Sequence, residues 1–330
     1  MAQIWGVYML PPYVIGAIIY SNLLMLLSIG FTFAYATTKV PNFAHGENAA
    51  LGTYVTSTIV RILEFNPYLA VLWAFPICGL ISALICKGVI QPLKRRGAGL
   101  ISLSISTIAI RMLLFASVNI HADYMRRFAG AYGGVFLLRN KDFELVGLPG
   151  VLVVSTVFAV TIITMLHLML TKTKFGIATR ATIENADLAG MLGINTELVS
   201  LVSWFLTGGI AGVAGSVLPL WFQSTSATGT DILTSIFSAS VVGGMSSIYG
   251  AMVGGYVIGL TEVLGTVFLA DRFGSWVLPY RSLVPLIAMF IILLRVPEGL
   301  VGIAEKINIS QIRESVLSLS TFGRRKSPDA

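Results

Sequence analysis

The sequence has little charge. Asp, Glu, Lys and Arg make up 11% of its 330 residues, whereas a water-soluble domain carries about 25%. Apolar residues make up 55%, and the mean hydropathy is +0.84. Several apolar runs exceed the roughly 18 residues that cross a bilayer. The composition therefore excludes an ordinary soluble domain and predicts a multi-pass protein of the cell (inner) membrane, in contact with lipid.

Cysteine and histidine are also scarce. Cys78 and Cys86 fall on one predicted helix, where their separation corresponds to a rise of about 12 Å, beyond the reach of a disulfide. The three histidines, at positions 45, 121 and 167, show no metal-ligand spacing. We expect no metal site, and the cysteines are predicted to pack as small apolar residues.

Sequence signatures of catalysis are missing. The chain has no G-x-x-x-x-G-K-[ST] loop for ATP and no serine-nucleophile elbow. The net charge of +7 comes mostly from short loops between apolar runs, as membrane topology requires. A positively charged segment before the first apolar run is also missing, so no cleavable signal peptide is expected. We therefore predict neither an enzyme nor a nucleic-acid-binding protein.

The apolar runs predict an all-α, polytopic transmembrane bundle of about 8 to 9 spans. The predicted spans are 12–35, 46–63, 67–90, 100–120, 148–170, 198–222, 232–247, 251–270 and 283–296. The count is nine if 232–247 crosses the membrane and eight if it re-enters. We assign 1–303 to the membrane domain and 304–330 to a tail.

Basic residues are concentrated in three segments, 87–96, 172–180 and 304–330, whereas 223–231 contains none. The positive-inside rule places the first three in the cytoplasm. This orientation requires an odd number of spans and puts the N-terminus outside and the C-terminus in the cytoplasm.

The polar insert 171–197 is predicted to be a cytoplasmic loop with one amphipathic helix over 181–192, ended by Gly193. The helical spacing recurs at Ala181, Asn185, Leu188 and Leu192. Glu184 and Asp187 on the polar side suit an anionic membrane surface poorly. Docking on a soluble partner is therefore favoured over binding to lipid.

A second group of polar residues begins the 46–63 span. Asn42, His45, Gly46 and Glu47 follow Pro41, so a broken or late-starting helix is expected there. The segment is either the wall or gate of a substrate pathway, or a helix cap in which Asn42 or Glu47 accepts bonds from free N–H groups.

Arg111 and Glu262 each lie near the middle of a predicted span, where an unpaired charge costs several kcal/mol. An arginine–glutamate pair inside the bundle is the simplest explanation, although the sequence assigns no partner to either residue. We include Glu262 among the candidate pathway residues.

Glycines are dense in the second half of the chain. Close helix packing, a subunit interface and helix breaks are the possible roles, and packing is expected for most of them. The packing candidates are Gly208, Gly212, Gly244, Gly250 and Gly254.

Several motifs between about residues 11 and 303 resemble, in order and spacing, those of branched-chain amino acid ABC transporter permeases. They are 42–47, 91–94, 242–244, 250–255, 297–302 and the residues Gly176, Ala178, Arg180, Ala181, Asn185, Ala189 and Gly193. The short N-terminus looks like that of the H-type subunit rather than its M-type partner.

The resemblance implies one half of a two-permease pore that imports branched-chain or related small amino acids without a cofactor of its own. It implies a second permease subunit, identical or different, two ABC ATPase subunits and an extracytoplasmic substrate-binding protein. It also implies that 171–197 contacts the ATPase, with Gly176, Arg180, Ala181, Glu184, Asn185, Ala189 and Gly193 as coupling residues. The same family serves urea and other small amides.

A stand-alone secondary transporter is the other function class, with His45, Glu47, Arg111 and Glu262 as an ion relay. Inverted repeats would favour it, but the glycine-rich motifs of the second half have no counterpart near the start. The predicted docking helix favours the importer.

Overall fold

The computed structural model describes residues 10–128, 134–145, 147–296 and 299–301. Within them the chain is a bundle of helices with four two-residue strands, so the all-α prediction is confirmed. The predicted tail 304–330, and Pro297, Glu298 and Gly302 of the last motif, lie outside the described residues.

The helices follow the predicted apolar runs closely. Their bounds are α1 Pro12–Thr38, α2 His45–Arg61, α3 Ala70–Ile85, α4 Gln91–Arg95, α5 Leu100–Phe128, α6 Gly150–Lys172, α7 Lys174–Glu184, α8 Ala186–Met191, α9 Thr196–Val217, α10 Thr228–Gly243, α11 Ile248–Phe273 and α12 Leu283–Arg295. A π-helical turn joins α3 to α4, and short 3₁₀ turns occupy Pro67–Leu69, Arg139–Lys141, Leu218–Leu220 and Ser275–Tyr280. The strands are β1 Val135–Phe136, β2 Glu144–Leu145, β3 Leu148–Pro149 and β4 Ser224–Thr225.

Six helical segments in the described residues are long and apolar enough to cross a membrane: Pro12–Thr38, Pro67–Arg95, Leu100–Arg127, Gly150–Lys172, Thr196–Leu220 and Ile248–Phe273. The remaining predicted spans correspond to α2, α10 and α12, which have 17, 16 and 13 residues. At about 1.5 Å per residue these three are shorter than the roughly 30 Å hydrocarbon core.

The first helix, α1, forms the centre of the bundle. Its most apolar stretch is 89% buried, whereas that of α5 is 22% buried. A helix that is apolar all round belongs in a protein interior or in lipid. Both environments occur in this bundle. The helix α1 is enclosed by α6, α9, α10 and α11, whereas α5 keeps large apolar side chains such as Ile101, Met112 and Leu113 exposed.

Two of the three basic segments of the sequence meet at one end of the bundle, here called the basic end (residues 91–97 and 171–197). Arg95 Nε donates to Glu197 Oε1 at 2.7 Å, and Gln91 Nε2 donates to the Glu197 carbonyl oxygen at 2.8 Å. Thr38, the last residue of α1, lines the same crevice as Gln91 and Glu197. The end of α1, α4 and the start of α9 therefore lie together.

Residues 134–149 and 218–227 meet at the opposite end. Strand β1 pairs antiparallel with β4, and Leu138 N–H donates to the Pro219 carbonyl oxygen at 2.7 Å. The guanidinium of Arg139 lies 4.0 Å from the ring centroid of Trp221. Burial raises the pKa of Asp142 above its usual range, although hydrogen bonds from Tyr68 and from backbone N–H groups oppose the shift. These contacts join 134–145 to 218–227. Because 218–227 follows α9, whose start is tied to Arg95, both segments lie at the end opposite the basic end.

Candidate functional site

The α2 helix begins beside the middle of α1, which is where the sequence predicted an interrupted helix. His45, its first residue, is fully buried, and its Nε2 faces the carbonyl oxygen of Leu27 at 3.1 Å. Gly30 makes room for the imidazole, since a Cβ at that position would lie 3.0 Å from His45 Cε1. The ring therefore occupies a slot in the wall of α1.

The non-helical segment before α2 obtains its hydrogen bonds from side chains. Asn42 Oδ1 accepts from the Ala44 N–H at 3.1 Å. Thr107 of α5 donates to the Pro41 carbonyl oxygen at 3.1 Å and accepts from the Phe43 N–H at 3.4 Å. Irregular backbone at membrane depth requires such partners. Asn42 thus bonds a free N–H, as one of the two sequence interpretations expected, whereas Glu47 binds elsewhere.

Glu47 joins three helices. Its fully buried carboxylate accepts from Thr230 Oγ1 of α10 at 2.9 Å and lies 3.7 Å from Arg111 Nε of α5. Arg111 Nη2 also donates to Thr230 Oγ1 at 3.0 Å. Gly46 permits this approach, because a Cβ there would overlap the carbonyl oxygen of Gly229. Within the described residues Glu47 Oε2 has no hydrogen-bond partner.

Glu262 of α11 has a different partner, Arg281, which the sequence analysis did not single out. Arg281 Nε donates to Glu262 Oε1 at 2.7 Å, and the Tyr20 hydroxyl lies 3.0 and 3.1 Å from the two carboxylate oxygens. Arg111 and Glu262 therefore do not pair with each other. Arg281 follows a 3₁₀ turn and lies outside the apolar runs, so the sequence pattern gave it the appearance of an ordinary loop charge.

The five candidate pathway residues are consequently divided between two places. Asn42, His45 and Gly46 line the junction of α1, α2 and α10, and Glu47 extends it to α5. Glu262 lies on the far side of α10 with Arg281. The first turn of α10, which carries Thr228, Thr230 and Asp231, separates the two carboxylate–arginine pairs.

The coupling candidates lie at the basic end, but the predicted single helix over 181–192 is wrong. The chain forms α7 and α8 with a break at Asn185, whose Oδ1 accepts from the N–H groups of Asp187 and Leu188 at 3.1 and 3.0 Å. Asn185 ends α7 and caps α8, so the residues with helical spacing in 181–192 do not lie on one face of a single helix. Gly193, with φ +86°, follows α8 as expected.

Side-chain exposure separates the coupling candidates into two groups. Arg180, Glu184 and Asn185 are exposed, and Ala181 is half-buried. Gly176 is buried against the end of α6, and Ala189 is 2% exposed. Apolar side chains also project from this segment: Ile177, Leu188, Met191 and Leu192 are 59%, 50%, 78% and 74% exposed.

The glycine candidates lie where helices cross. A Cβ at Gly208 would lie 2.7 Å from the Cys78 carbonyl oxygen, and one at Gly212 2.6 Å from that of Ala74. Gly250 and Gly254 contact Gly243 and Ala239 of α10 just as closely. Gly244 has φ +104° and ends α10.

In the described residues, no three His, Cys, Asp or Glu side chains come together as a metal site. Cys78 and Cys86 are both free and buried.

Comparison with known proteins places this arrangement in a family. Residues 13–293 match the family described as "Branched-chain amino acid transport system / permease component". The chain belongs to this family. The predicted resemblance is therefore confirmed, and the chain is a multi-pass membrane protein of a transport family.

Two curated relatives cover nearly the whole chain. The "Probable branched-chain amino acid transport permease protein LivH" of Methanocaldococcus jannaschii is 43% identical over 288 residues, which are 87% of this chain and 91% of that protein. The "High-affinity branched-chain amino acid transport system permease protein LivH" of Escherichia coli K12 is 27% identical over 291 residues, 84% of this chain and 90% of that protein. A solved structure, "PsaBC from Streptococcus pneumoniae in complex with Fab", is a looser likeness, with a TM-score of 0.46, 11% identity, and coverage of 85% and 91%.

Proposed function

We propose that the chain is the transmembrane permease subunit of an ATP-driven importer for branched-chain or related small amino acids. The observation that carries the proposal is the family match over 13–293, together with a relative 43% identical along nearly its full length that is named as such a permease. The chain itself provides the pathway and no catalytic group.

The importer requires partners, and the basic end offers a surface for one class of them. Leu188, Met191 and Leu192 are 50%, 78% and 74% exposed. Arg180 and Glu184 are on the preceding helix. Exposed apolar side chains rimmed by charge are typical of a docking surface. We assign this surface to an ABC ATPase; two ATPases, a second permease and an extracytoplasmic binding protein complete the assembly.

We further propose nine passages through the membrane, with the basic end in the cytoplasm. The helices α2, α10 and α12 are short. However, α2 runs from the middle of α1 to the end where Arg61 lies over Phe136, and α10 runs from the 218–227 segment to the start of α11. Thr38 lines one crevice with Gln91 and Arg95, and Leu138 bonds to Pro219 at the other end; both observations support an alternating path. The positive-inside rule then orients the whole chain and puts its C-terminus in the cytoplasm.

Uptake of radiolabelled leucine in cells with this chain deleted tests the proposal. We expect uptake to be lost, and to return with the wild-type chain only when the cell contains ATP. Dependence on an ion gradient, with ATP depleted, would instead favour a stand-alone secondary transporter. Loss of urea or amide uptake with normal leucine uptake would identify the other substrate class served by the family.

A further inference from the structure

A polar cavity of about 310 Å³ lies toward the opposite end of the bundle, between α1, α10, α11 and the 3₁₀ turns at 218–220 and 275–280. Its volume is at the lower end of the range for small-molecule sites, about 300–1,000 Å³. Charged groups of both signs and apolar side chains line it: Arg281, Glu262, Asp231, Leu218, Phe222 and Ile232. A cavity with this combination can recognise a molecule that is itself charged at one end and apolar at the other.

Arg281 provides the cationic side of the cavity. Its Nε is engaged by Glu262, but its buried Nη2 has no hydrogen-bond partner among the described residues. The guanidinium carbon lies 4.3 Å from the ring centroid of Tyr20 and 5.7 Å from that of Phe222, so two aromatic rings hold the group in place. The Arg281 side chain is 32% exposed, and a guanidinium held in place in this way suits a carboxylate.

Asp231 provides the anionic side, one turn into α10. Its side chain is exposed to the cavity, and within the described part of the chain its carboxylate makes no hydrogen bond or ion pair. The neighbouring residue, Thr230, instead donates its hydroxyl to the buried carboxylate of Glu47. Asp231 is therefore available to an ammonium group.

We propose that this cavity receives the transported amino acid on its way into the membrane. The carboxylate of the amino acid binds the guanidinium of Arg281, its ammonium group binds Asp231, and its aliphatic side chain packs on Leu218, Phe222 and Ile232. This assignment rests on the proposed function and gives it a site. Because Glu262 already neutralises Arg281, the three charged lining residues sum to a net charge of −1, carried by Asp231; so small a net charge suits a site that must release its ligand.

Protection of a cysteine tests the site without requiring transport. In a chain with Cys78→Ala and Cys86→Ala, Ser282→Cys places a thiol in the wall of the cavity, and Asp271→Cys places a control thiol at the exposed end of α11. The permease–ATPase complex is used in membrane vesicles without binding protein. We expect leucine to slow alkylation of Ser282→Cys but not of Asp271→Cys. Isoamylamine and 4-methylpentanoate, which lack one charge each, should protect poorly.

Asp231→Asn tests the charge recognition itself, because the Asp231 carboxylate has no structural partner to lose. We expect the leucine concentration needed for protection to rise about tenfold to a hundredfold, the equivalent of one charge-assisted hydrogen bond. Asp271→Asn is the matched control and should leave protection unchanged. Arg281→Lys keeps a charge beside Glu262 but removes the guanidinium fork, and should weaken protection similarly.

Leucine uptake measured in parallel separates the two proposals. Normal uptake by Ser282→Cys with no protection by leucine would overturn the site and leave the proposed function standing. Equal protection in Asp231→Asn and in its parent would overturn the recognition by charge. Protection by leucine without any ATP-dependent uptake would keep the site and overturn the importer.

Discussion

At the scale of single residues, the bundle buries two carboxylates and provides each with an arginine from another element. Glu47 and Arg111 belong to α2 and α5, and they share Thr230 of α10. Removing one partner of a buried pair costs about 3–5 kcal/mol, whereas replacing both with uncharged groups of similar size is often close to neutral. The Glu47 pair can therefore be tested as a unit.

We expect Arg111→Met to destabilise the detergent-solubilised protein strongly, and Glu47→Gln together with Arg111→Met to recover most of the loss. The reason is that the single change leaves Glu47 buried and uncompensated. Thermal unfolding of the four members of the cycle measures this coupling. Additive effects of the two substitutions would show that the pair is not coupled.

The same variants separate a gate from a structural pair. If Glu47 shapes the pathway, Glu47→Gln should lower uptake per membrane-inserted molecule or shift its pH dependence while the yield is kept. If the residue only holds helices together, the yield should fall and uptake per molecule should stay near normal. Arg126→Gln is a suitable control, since Arg126 pairs with Asp123 on the exposed face of α5.

Sequence reasoning found which charges need partners but not which partners they have. Glu47, Arg111 and Glu262 stand out because each interrupts an apolar run. Arg281 does not, since it lies in a polar connection where charge is unremarkable, and only the packing of α11 against the following 3₁₀ turn brings it to Glu262. Pairing of this kind is fixed by tertiary structure, and periodicity carries no information about it.

At the scale of helices, close crossings depend on missing side chains. Gly212 of α9 faces Ala74 and Cys78 of α3, and a Cβ on Gly52 of α2 would overlap the Gly212 carbonyl oxygen. Three helices therefore meet at one glycine. The sequence indicated such packing by its density of glycines, but the helices that meet there come from distant parts of the chain.

We expect Gly212→Ala to destabilise the protein by about 1–3 kcal/mol, the usual cost of overpacking a filled interior. Gly88→Ala is the matched control, because Gly88 lies in the π-helical turn after α3 with nothing within 4 Å of an added Cβ. Chemical or thermal unfolding of both variants in one detergent gives the comparison. Equal stability would mean that the crossing of α2, α3 and α9 adapts freely.

The coupling segment illustrates a limit of periodicity. Ala181, Asn185, Leu188 and Leu192 have helical spacing, yet Asn185 caps a new helix because its side chain competes for backbone N–H groups. Its break turns Leu188, Met191 and Leu192 outward and Ala189 inward. A bulky residue at Ala189 would therefore disturb the fold of the segment as well as any docking.

Leu192→Glu is the sharper test of docking, because Leu192 is 74% exposed. We expect this variant to insert normally, to lose co-purification with the ATPase and to lose uptake. Leu145→Glu makes the same change at a leucine 48% exposed at the opposite end of the bundle, and should retain the ATPase. Normal ATPase binding by Leu192→Glu would remove this surface from the proposed interface.

At the scale of the whole molecule, the topology depends on which end of the bundle each connecting segment lies at. The sequence predicted the helices well because long apolar runs are a strong signal, and six of them are long enough to cross a membrane. The parity of the span count depended on one short stretch, 232–247. The structure makes it the helix α10, which begins near the 218–227 segment and ends at Gly243, close to the start of α11. The contact of Arg95 with Glu197 already places 91–97 and 171–197 at one end of the bundle, and the nine passages proposed above would put the C-terminus on that side as well.

Single cysteines test this orientation, and the four positions act as controls for one another. In a chain with Cys78→Ala and Cys86→Ala, we expect an impermeant thiol reagent to label Leu145→Cys and Gln223→Cys in intact cells. Arg96→Cys and Asp187→Cys should react only after the membrane is opened. All four side chains are exposed in the structure, so a difference between them reports the side of the membrane rather than burial.

Labelling of Asp187→Cys from outside would invert the orientation and move the ATPase surface away from the cytoplasm. Labelling of Gln223→Cys only after opening would mean that α9 does not cross, because Glu197 at the start of α9 is tied to Arg95 at the basic end.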